Sequence, residues 1–507
     1  MKLVNAQENL ATLSNVGEIG EFRIRNSAKA FNILSSGLYA NKIRAILREL
    51  SCNAIDSHVA AGTQHIPYEV HLPNTLEPWF SIRDFGTGLS HDQVQNIYTT
   101  YFESTKTESN DFIGALGLGS KSPFSYTDNF TVTAIKNGHK GVYTAFINDQ
   151  GVPSIALMAE EETDDLSGVE VRFGVSDRYD FSKFVDEAKN VYRFFKNRPN
   201  ITGCHNFEFT NPVFFKENII PGIHAIKSSS YRVQTSVAVM GNIAYPIDIP
   251  DTILKQMHAS KSYLNCGLVI EFDIGELDFQ ASREGLSYIP LTIDSISKKL
   301  QQLSGVLKDD LKKDADAIDN IWNRAKFIES RIDHPLYASV AAEYANNCPI
   351  MKDLFYNSAV YNYNGRYATM LFSLDNAKSM NIKISAIDRG YNKNFRTMKP
   401  NSYGINNGAY NIRINDQNRF VINDMNVGAA ARAKNHWRES DESVVVFILE
   451  KEDKSKDMDI AAFFNAIHNP PEEIKILSSQ LKEKPRNNKI SKNVSILELT
   501  EKKISRN

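Results

Sequence analysis

Glu49-Leu50-Ser51-Cys52-Asn53-Ala54-Ile55-Asp56-Ser57-His58, near the start of a chain of 507 residues, is the stretch on which the reading of the fold turns. At helical pitch, residues three and four apart share a face, so Glu49, Asn53 and Asp56 form a polar stripe while Ile46, Leu47, Leu50 and Ile55 supply apolar surface. A carboxylate and an amide one turn apart can activate a water with one group and hold a magnesium ion with the other. Any surface helix can carry the same pair, so it gains meaning only beside two stretches further along the chain.

The first of these lies after a strand at Trp79-Phe80-Ser81-Ile82. It reads Arg83-Asp84-Phe85-Gly86-Thr87-Gly88, a carboxylate at a strand end leading into a glycine-permitted turn. Such a carboxylate accepts a hydrogen bond from an exocyclic amine, and the glycines let a flat base approach the backbone. The second is Ile113-Gly114-Ala115-Leu116-Gly117-Leu118-Gly119-Ser120-Lys121-Ser122, which opens onto Phe124 and Tyr126. Backbone amides exposed by a glycine run make an anion cradle. Gly114 and Gly119 have the spacing of a Walker loop, but Ser120 stands where the lysine should come next, and Asp111 with the polar stretch 104–110 precedes the run where a strand is required.

In that order, Glu-x-x-x-Asn, Asp-x-Gly-x-Gly and Gly-x-x-Gly-x-Gly resemble the GHKL ATPases. That family includes the ATPase subunits of type II topoisomerases, a class of DNA-repair proteins and the ninety-kilodalton heat-shock chaperone. The motifs span about the first third of the chain. The resemblance implies that Glu49 is the general base toward the attacking water and that Asn53 holds magnesium. It makes Asp84 the acceptor for the adenine amine, with Gly86 and Gly88 shaping the base pocket. Gly114, Gly117 and Gly119 would let a lid close over the triphosphate, and Ser120 and Lys121 at the end of the run are counted with the nucleotide-contacting residues. Asp56 braces the helix or joins the site. Where many relatives have a Gly-Thr pair, this chain has Ser167-Gly168-Val169, so the threonine hydroxyl is missing.

Further on, Gln280-Ala281-Ser282-Arg283-Glu284-Gly285-Leu286-Ser287 is similar to the Ser-Arg-Glu loop of the chaperone's middle domain, which makes Arg283 the expected partner of the terminal phosphate. The alternative is an ordinary ion pair with a neighbour. The stretches around Asn26 to Phe31, Leu38 to Arg44, and Glu108 to Asp128 resemble the bacteriophage rapid-lysis A family. That resemblance implies a B-type phage partner protein, peripheral contact with the inner face of the host membrane, and a role in lysis timing or exclusion of competing phages; a homodimer is expected from nucleotide-dependent pairing of two ATPase modules.

Composition fits this picture without adding to it. Hydrophobic residues at 42% and charged residues at 23% are ordinary for globular domains, and a formal net charge of −2 argues against a broadly basic nucleic-acid surface. Nucleic acid is therefore not an expected partner. Cys52, Cys204, Cys266 and Cys348 are widely separated and form no Cys-x-x-Cys pair, which fits a reducing host cytoplasm. His58, His65 and His71 lack ligand spacing and read as surface or packing residues. The first residues lack the apolar core of a signal peptide, and no run is long and apolar enough to span a bilayer.

The expected fold class is α/β (α+β). An ATPase sandwich over 1–180 is followed by a transducer-like α/β domain over 181–308, a helical connector over 309–360, a C-terminal α/β domain over 361–481 and a mobile tail over 482–507. A helix over 181–196, strands over 235–240 and 268–272, and a helix over 293–306 are predicted for the second domain. In the last domain, alternating strands and helices between 419 and 477 favour a small parallel sheet. Asp424, Glu450 and Asp453 fall near its strand ends and are candidates for a second metal site. The function expected is an ATP-binding, ATP-hydrolysing conformational switch with ATP and magnesium as cofactors; the alternative is an ATP-bound scaffold or membrane-associated interaction protein with negligible hydrolysis.

Overall fold

Asn41 starts the helix that carries Glu49. Its side chain accepts a hydrogen bond from Arg44 N, while Gly62, with φ of 69°, ends the helix by donating to the carbonyls of His58 and Val59. The computed structural model describes residues 27–34, 37–101, 117–227, 235–256, 261–360, 367–389, 394–400, 408–425 and 428–482. Gly114, the junction near 361–366 and the tail from 483 onward lie outside the described residues. The chain is a mixed α+β protein that divides into one unit up to Val306 and another from Leu307.

The first unit begins with α1 (Ala28–Leu34) and α2 (Lys42–Ala61). Its first sheet contains β1 (Glu69–His71), β2 (Trp79–Arg83), β3 (Asn129–Lys136), β4 (His139–Ile147), β5 (Pro153–Glu162), β6 (Gly168–Gly174) and β7 (Asn200–Thr202), in the order β5-β4-β3-β6-β2-β1-β7. All neighbours are antiparallel except β1 and β7. On β3, Phe130, Val132 and Ala134 alternate with half-buried Thr131 and Thr133, as expected when one face of a sheet is packed. Short α3 (His91–Gln93) begins with a capping box on Ser90. Helix α4 (Tyr179–Val191) packs Phe184 against Phe80 and Phe173, with ring centroids 5.0 and 6.3 Å away. Complete burial of a phenylalanine such as Phe80 contributes roughly 2–3 kcal/mol.

The helix predicted over 181–196 ends earlier in the structure, at Val191, and continues as a single 3₁₀ turn over Tyr192–Phe194. Pro199 disfavours helical backbone at Arg198, and the Tyr192 hydroxyl is held 2.9 Å from Ser51 Oγ on α2.

The second sheet of this unit contains β8 (Phe214–Ile220), β9 (Ile223–Ile226), β10 (Val237–Met240), β11 (Ile243–Pro246) and β12 (Leu268–Phe272), in the order β11-β10-β12-β9-β8. Gly241 and Asn242, both at positive φ, form the two-residue hairpin turn between β10 and β11 that matches strand twist. After α5 (Asp251–Gln256) and α6 (Lys261–Leu264), the long helix α7 (Pro290–Asp316) buries Ile296, Leu300 and Leu303.

The second unit contains α8 (Ile321–Ile332), α9 (Ala338–Asn347), α10 (Pro349–Val360), β13 (Thr369–Ser373), α11 (Leu374–Ser379), β14 (Ile382–Arg389), β15 (Phe395–Met398), β16 (Ala409–Arg413), β17 (Asn418–Ile422), α12 (Ala429–His436), β18 (Val444–Lys451), α13 (Ile460–Ala466) and β19 (Lys475–Leu477). The expected alternation is present as β17, α12, β18, α13 and β19, and β17 runs parallel to both β18 and β19. The sheet is nevertheless mixed, because β14 inserts antiparallel to β18 and carries β15 at its edge. Apolar Ile382, Ile384 and Ala386 of β14 alternate with Lys383 and Ser385, as on β3. Trp322 closes this core by donating from Nε1 to the Ile467 carbonyl at 2.7 Å. No helix among the described residues is long and apolar enough to cross a membrane.

Candidate functional site

Burial on nearly every side makes α2 unusual, because the buried set includes Arg48, Glu49, Asp56 and His58 as well as apolar residues. Charged groups in such a position require partners. Glu49 has one for each oxygen: Oε1 accepts from Arg48 Nε at 3.0 Å, and Oε2 accepts from Arg283 Nη1 at 3.1 Å. Both Glu49 and Arg283 are 5% exposed, so solvent does little to screen the pair. Burial on its own would raise the Glu49 pKa; the two guanidinium groups, Arg283 ahead of Arg48, overcome that and hold it below the usual carboxylate range. Burial on its own would lower the Arg283 pKa, but Glu49 together with Tyr245 and Cys52 more than offsets that and holds the guanidinium charged.

Arg283 adopts left-handed backbone, with φ of 56°, in a tight loop closed by the Phe279–Leu286 bridge. The residues flanking it also reach α2. The Ser282 carbonyl accepts from Arg48 Nη2 at 2.6 Å, and the Glu284 carboxylate accepts from the amides of Ala40 and Asn41 at 3.1 and 3.0 Å.

The glycine run lies against the same helix face. A Cβ placed on Gly119 would stand 3.1 Å from Glu49 Oε2 and 3.3 Å from Asn53 Nδ2, so the absent side chain lets the glycine run lie directly against the carboxylate and amide. Gly117 takes φ of 61°, and Gly114 lies outside the described residues. Lys121 is buried, and its ammonium donates to the carbonyls of Thr100 at 2.7 Å and Gly117 at 3.0 Å, while the Ser120 carbonyl accepts from the Tyr98 hydroxyl at 3.2 Å.

Asp84 comes directly after β2 and remains in the sheet, donating from its amide to the Val169 carbonyl. The residue is 7% exposed, with Oδ1 accepting from Gly86 N at 2.9 Å. Burial raises its pKa, against the lowering effect of the Gly86 amide and the Ser57 hydroxyl. Gly86 and Gly88 are required by close approach: a Cβ would meet Ser57 Oγ at 2.2 Å in the first case and the Ile135 carbonyl oxygen at 1.9 Å in the second. Gly168 passes equally close to the Asp84 carbonyl, which puts the Ser167-Gly168-Val169 departure directly beside this carboxylate.

Helix α2 therefore brings both parts together, with Glu49 and Asn53 at the glycine run and, two turns on, Ser57 and His58 at the Asp84 turn. His58 Nε2 accepts from the Phe85 amide at 2.7 Å, Ser57 Oγ accepts from Thr87 N at 3.2 Å, and Thr63 Oγ1 donates to the Phe85 carbonyl at 3.1 Å. Sequence reasoning misses these supporting residues, along with Arg48 and Glu284. The one signal for them is their position beside Glu49, Asp56 and Arg283. Asp56 is fully buried. His71 stacks on Trp79 and lies between the Trp79 carbonyl and Glu77.

Asp424 and Glu450 are linked through Ser478 and Asn423, whereas Asp453 sits in a local turn with Ser455. Asp424 accepts from Ser478 Oγ at 2.7 Å and Ser479 N at 2.9 Å, and its pKa falls to about 2, chiefly through the Ser479 hydroxyl. Glu450 accepts from Asn423 Nδ2, and Asp453 from Ser455 N. Among the described residues, no group of three or more His, Cys, Asp or Glu side chains is placed to hold a metal ion.

No family model matches the chain, and no curated protein is similar to it by sequence. Among solved structures, the chain is similar to the ATPase region of Saccharomyces cerevisiae topoisomerase II, at 16% identity over 50% of this chain and 82% of that one, with a TM-score of 0.35.

Proposed function

We propose that the first unit binds ATP with magnesium and hydrolyses its terminal phosphate, using Glu49 as the base toward water. The observation that carries this reading is the meeting of three separate sequence motifs on one helix face: Glu49 and Asn53 lie within 3.1 and 3.3 Å of a Cβ position on Gly119, and Arg283 reaches Glu49 from a distant loop.

In this reading Asp84 accepts from the adenine amine, and Gly86 and Gly88 form the floor under the base. Gly117, Gly119 and Ser120 face the phosphates, and Lys121 serves them by fastening Thr100 to Gly117. Asn53 offers a hard amide oxygen suited to magnesium. Because no cluster of three metal-binding side chains supports the ion among the described residues, the nucleotide phosphates would complete its shell. Bound there, magnesium would neutralise charge on the phosphates.

Glu49, held ionised and engaged on both oxygens, becomes available to water only when Arg283 leaves it. A terminal phosphate offers a guanidinium a competing bidentate partner. Arg283 therefore senses charge by exchanging one anion for the other.

The test is calorimetric titration with ATP and magnesium, together with phosphate release from the wild-type protein and Glu49→Ala. Saturable uptake by both, with release slowed about a hundred-fold in the variant, supports the reading. Absence of uptake by folded protein, or equal release from the two, overturns it.

The double arginine clamp on Glu49 favours a second reading, in which ATP is held as a structural ligand and hydrolysed negligibly. Uptake without phosphate release in the wild-type protein selects that one. Nucleotide-dependent homodimerisation, a phage B-type partner, contact with the host membrane and control of lysis timing or of competing phages are added by the sequence resemblance alone. Sedimentation with and without a non-hydrolysable ATP analogue tests the first of these.

A further inference from the structure

We propose that Glu284 is the positioning residue that sets Arg283 at the site, by docking its loop onto the start of α2. Three consecutive residues reach that helix: Ser282 through its carbonyl to Arg48, Arg283 through its guanidinium to Glu49, and Glu284 through both carboxylate oxygens to the amides of Ala40 and Asn41.

The helix start is prepared to receive an anion. Amides at a helix N-terminus have no partner within the helix and lie at the positive end of its dipole. From the other side, Glu187 of α4 holds the same turn, accepting from Asn41 Nδ2 at 2.9 Å and from Arg44 Nε at 2.6 Å. The receiving turn is thus tied to α4 by contacts that do not involve the loop.

The loop has a reason to need this support. A non-glycine residue in left-handed backbone carries strain, and Arg283 has φ of 56°. Within the loop, Arg283 N donates to the Gln280 carbonyl and Gln280 N to the Gly285 carbonyl, contacts that shape the turn without tying it to α2. Of the two side chains that bind the loop to the helix, Arg283 must be free to leave Glu49 during turnover, and Glu284 has no such duty. Glu284 therefore keeps the loop on α2 while the guanidinium changes partner.

The proposal rests on the hydrolytic reading above, and two measurements separate their failures. In full-length Glu284→Ala, the kcat for ATP hydrolysis should fall about tenfold with KM within about twofold, because the arginine is misplaced while the nucleotide pocket is intact. Without nucleotide, the amides of Ala40 and Asn41 should exchange hydrogen faster than in the wild-type protein. Glu284→Gln keeps one acceptor oxygen and should fall between the two in both measurements. Circular dichroism identical to wild type excludes general unfolding. Unchanged exchange at both amides overturns the docking role whether or not the protein hydrolyses ATP. A raised KM with unchanged kcat overturns the positioning role. A wild-type protein without hydrolysis overturns the proposed reaction, and the amide exchange still decides the docking.

Discussion

Replacing Arg283 by alanine should destabilise the first unit by roughly 3 kcal/mol, near the low end of the ~3–5 kcal/mol lost when one partner of a buried ion pair is removed. The low end applies because Arg48 remains on the other carboxylate oxygen of Glu49. Alanine also keeps the unfavourable backbone at φ of 56°, whereas glycine adopts it freely, so Arg283→Gly should be about 1 kcal/mol more stable than Arg283→Ala. The pH dependence gives a second check. In the wild-type protein the Glu49 pKa lies below its unfolded value, so its ion pairing stabilises the fold above the unfolded carboxylate range and is lost as pH falls through the folded value. Without Arg283, the largest of the lowering influences, burial is opposed by Arg48 alone and the folded pKa rises. The variant then takes up the Glu49 proton at higher pH than the wild-type protein, so its deficit should narrow as pH falls from 7 toward about 4. Urea unfolding at several pH values measures both effects. A deficit under about 0.5 kcal/mol at pH 7, or one that widens on acidification, refutes the reasoning.

Three further outcomes are expected. Asp84→Asn should weaken ATP binding by about 1–3 kcal/mol, by replacing an acceptor with a mixed group. Because the folded pKa of Asp84 is raised, the wild-type carboxylate costs stability as pH rises through and above its unfolded value, so the asparagine variant should unfold at higher urea concentration at pH 7. Gly119→Val should abolish nucleotide uptake while preserving the circular dichroism spectrum, since its first side-chain carbon already falls 3.1 Å from Glu49 Oε2; uptake at wild-type affinity would remove the glycine run from the site. Trp322→Phe should destabilise the second unit by about 1–3 kcal/mol by leaving the Ile467 carbonyl unpaired, and an unchanged calorimetric transition would show that water takes over the bond.

Local pattern makes some of this legible and distance hides the rest. Helix α2 and strands β2, β12 and β18 can be read from short apolar runs and their breaks, because each is set by neighbours within a few residues. Strand β14 carries the alternation of a half-covered strand, but its place in the sheet is set by β18, which is supplied much later in the chain, so no local pattern shows where it inserts. At the site, the spacing of Glu49, Asn53, Asp84 and the glycine run can be recognised along the sequence, but no periodicity brings Arg283 to Glu49 across a separation of 234 residues. Family resemblance points to that arginine. It gives no sign of Arg48 as the second cation on Glu49, of His58 as the acceptor for the Phe85 amide, or of Glu284 at the start of α2.

The attachment of the 282–284 loop to α2 also limits how the gene can be dissected. A recombinant piece ending soon after β7 would retain all seven strands of the first sheet and lose the guanidinium that neutralises Glu49. Severed there, the polypeptide would keep a sequestered anion with half its counterions and two bare amides at residues 40 and 41. Trimming for crystallography or binding work should therefore leave the backbone intact beyond Leu286, even though the Asp84 turn and the glycine run sit far upstream.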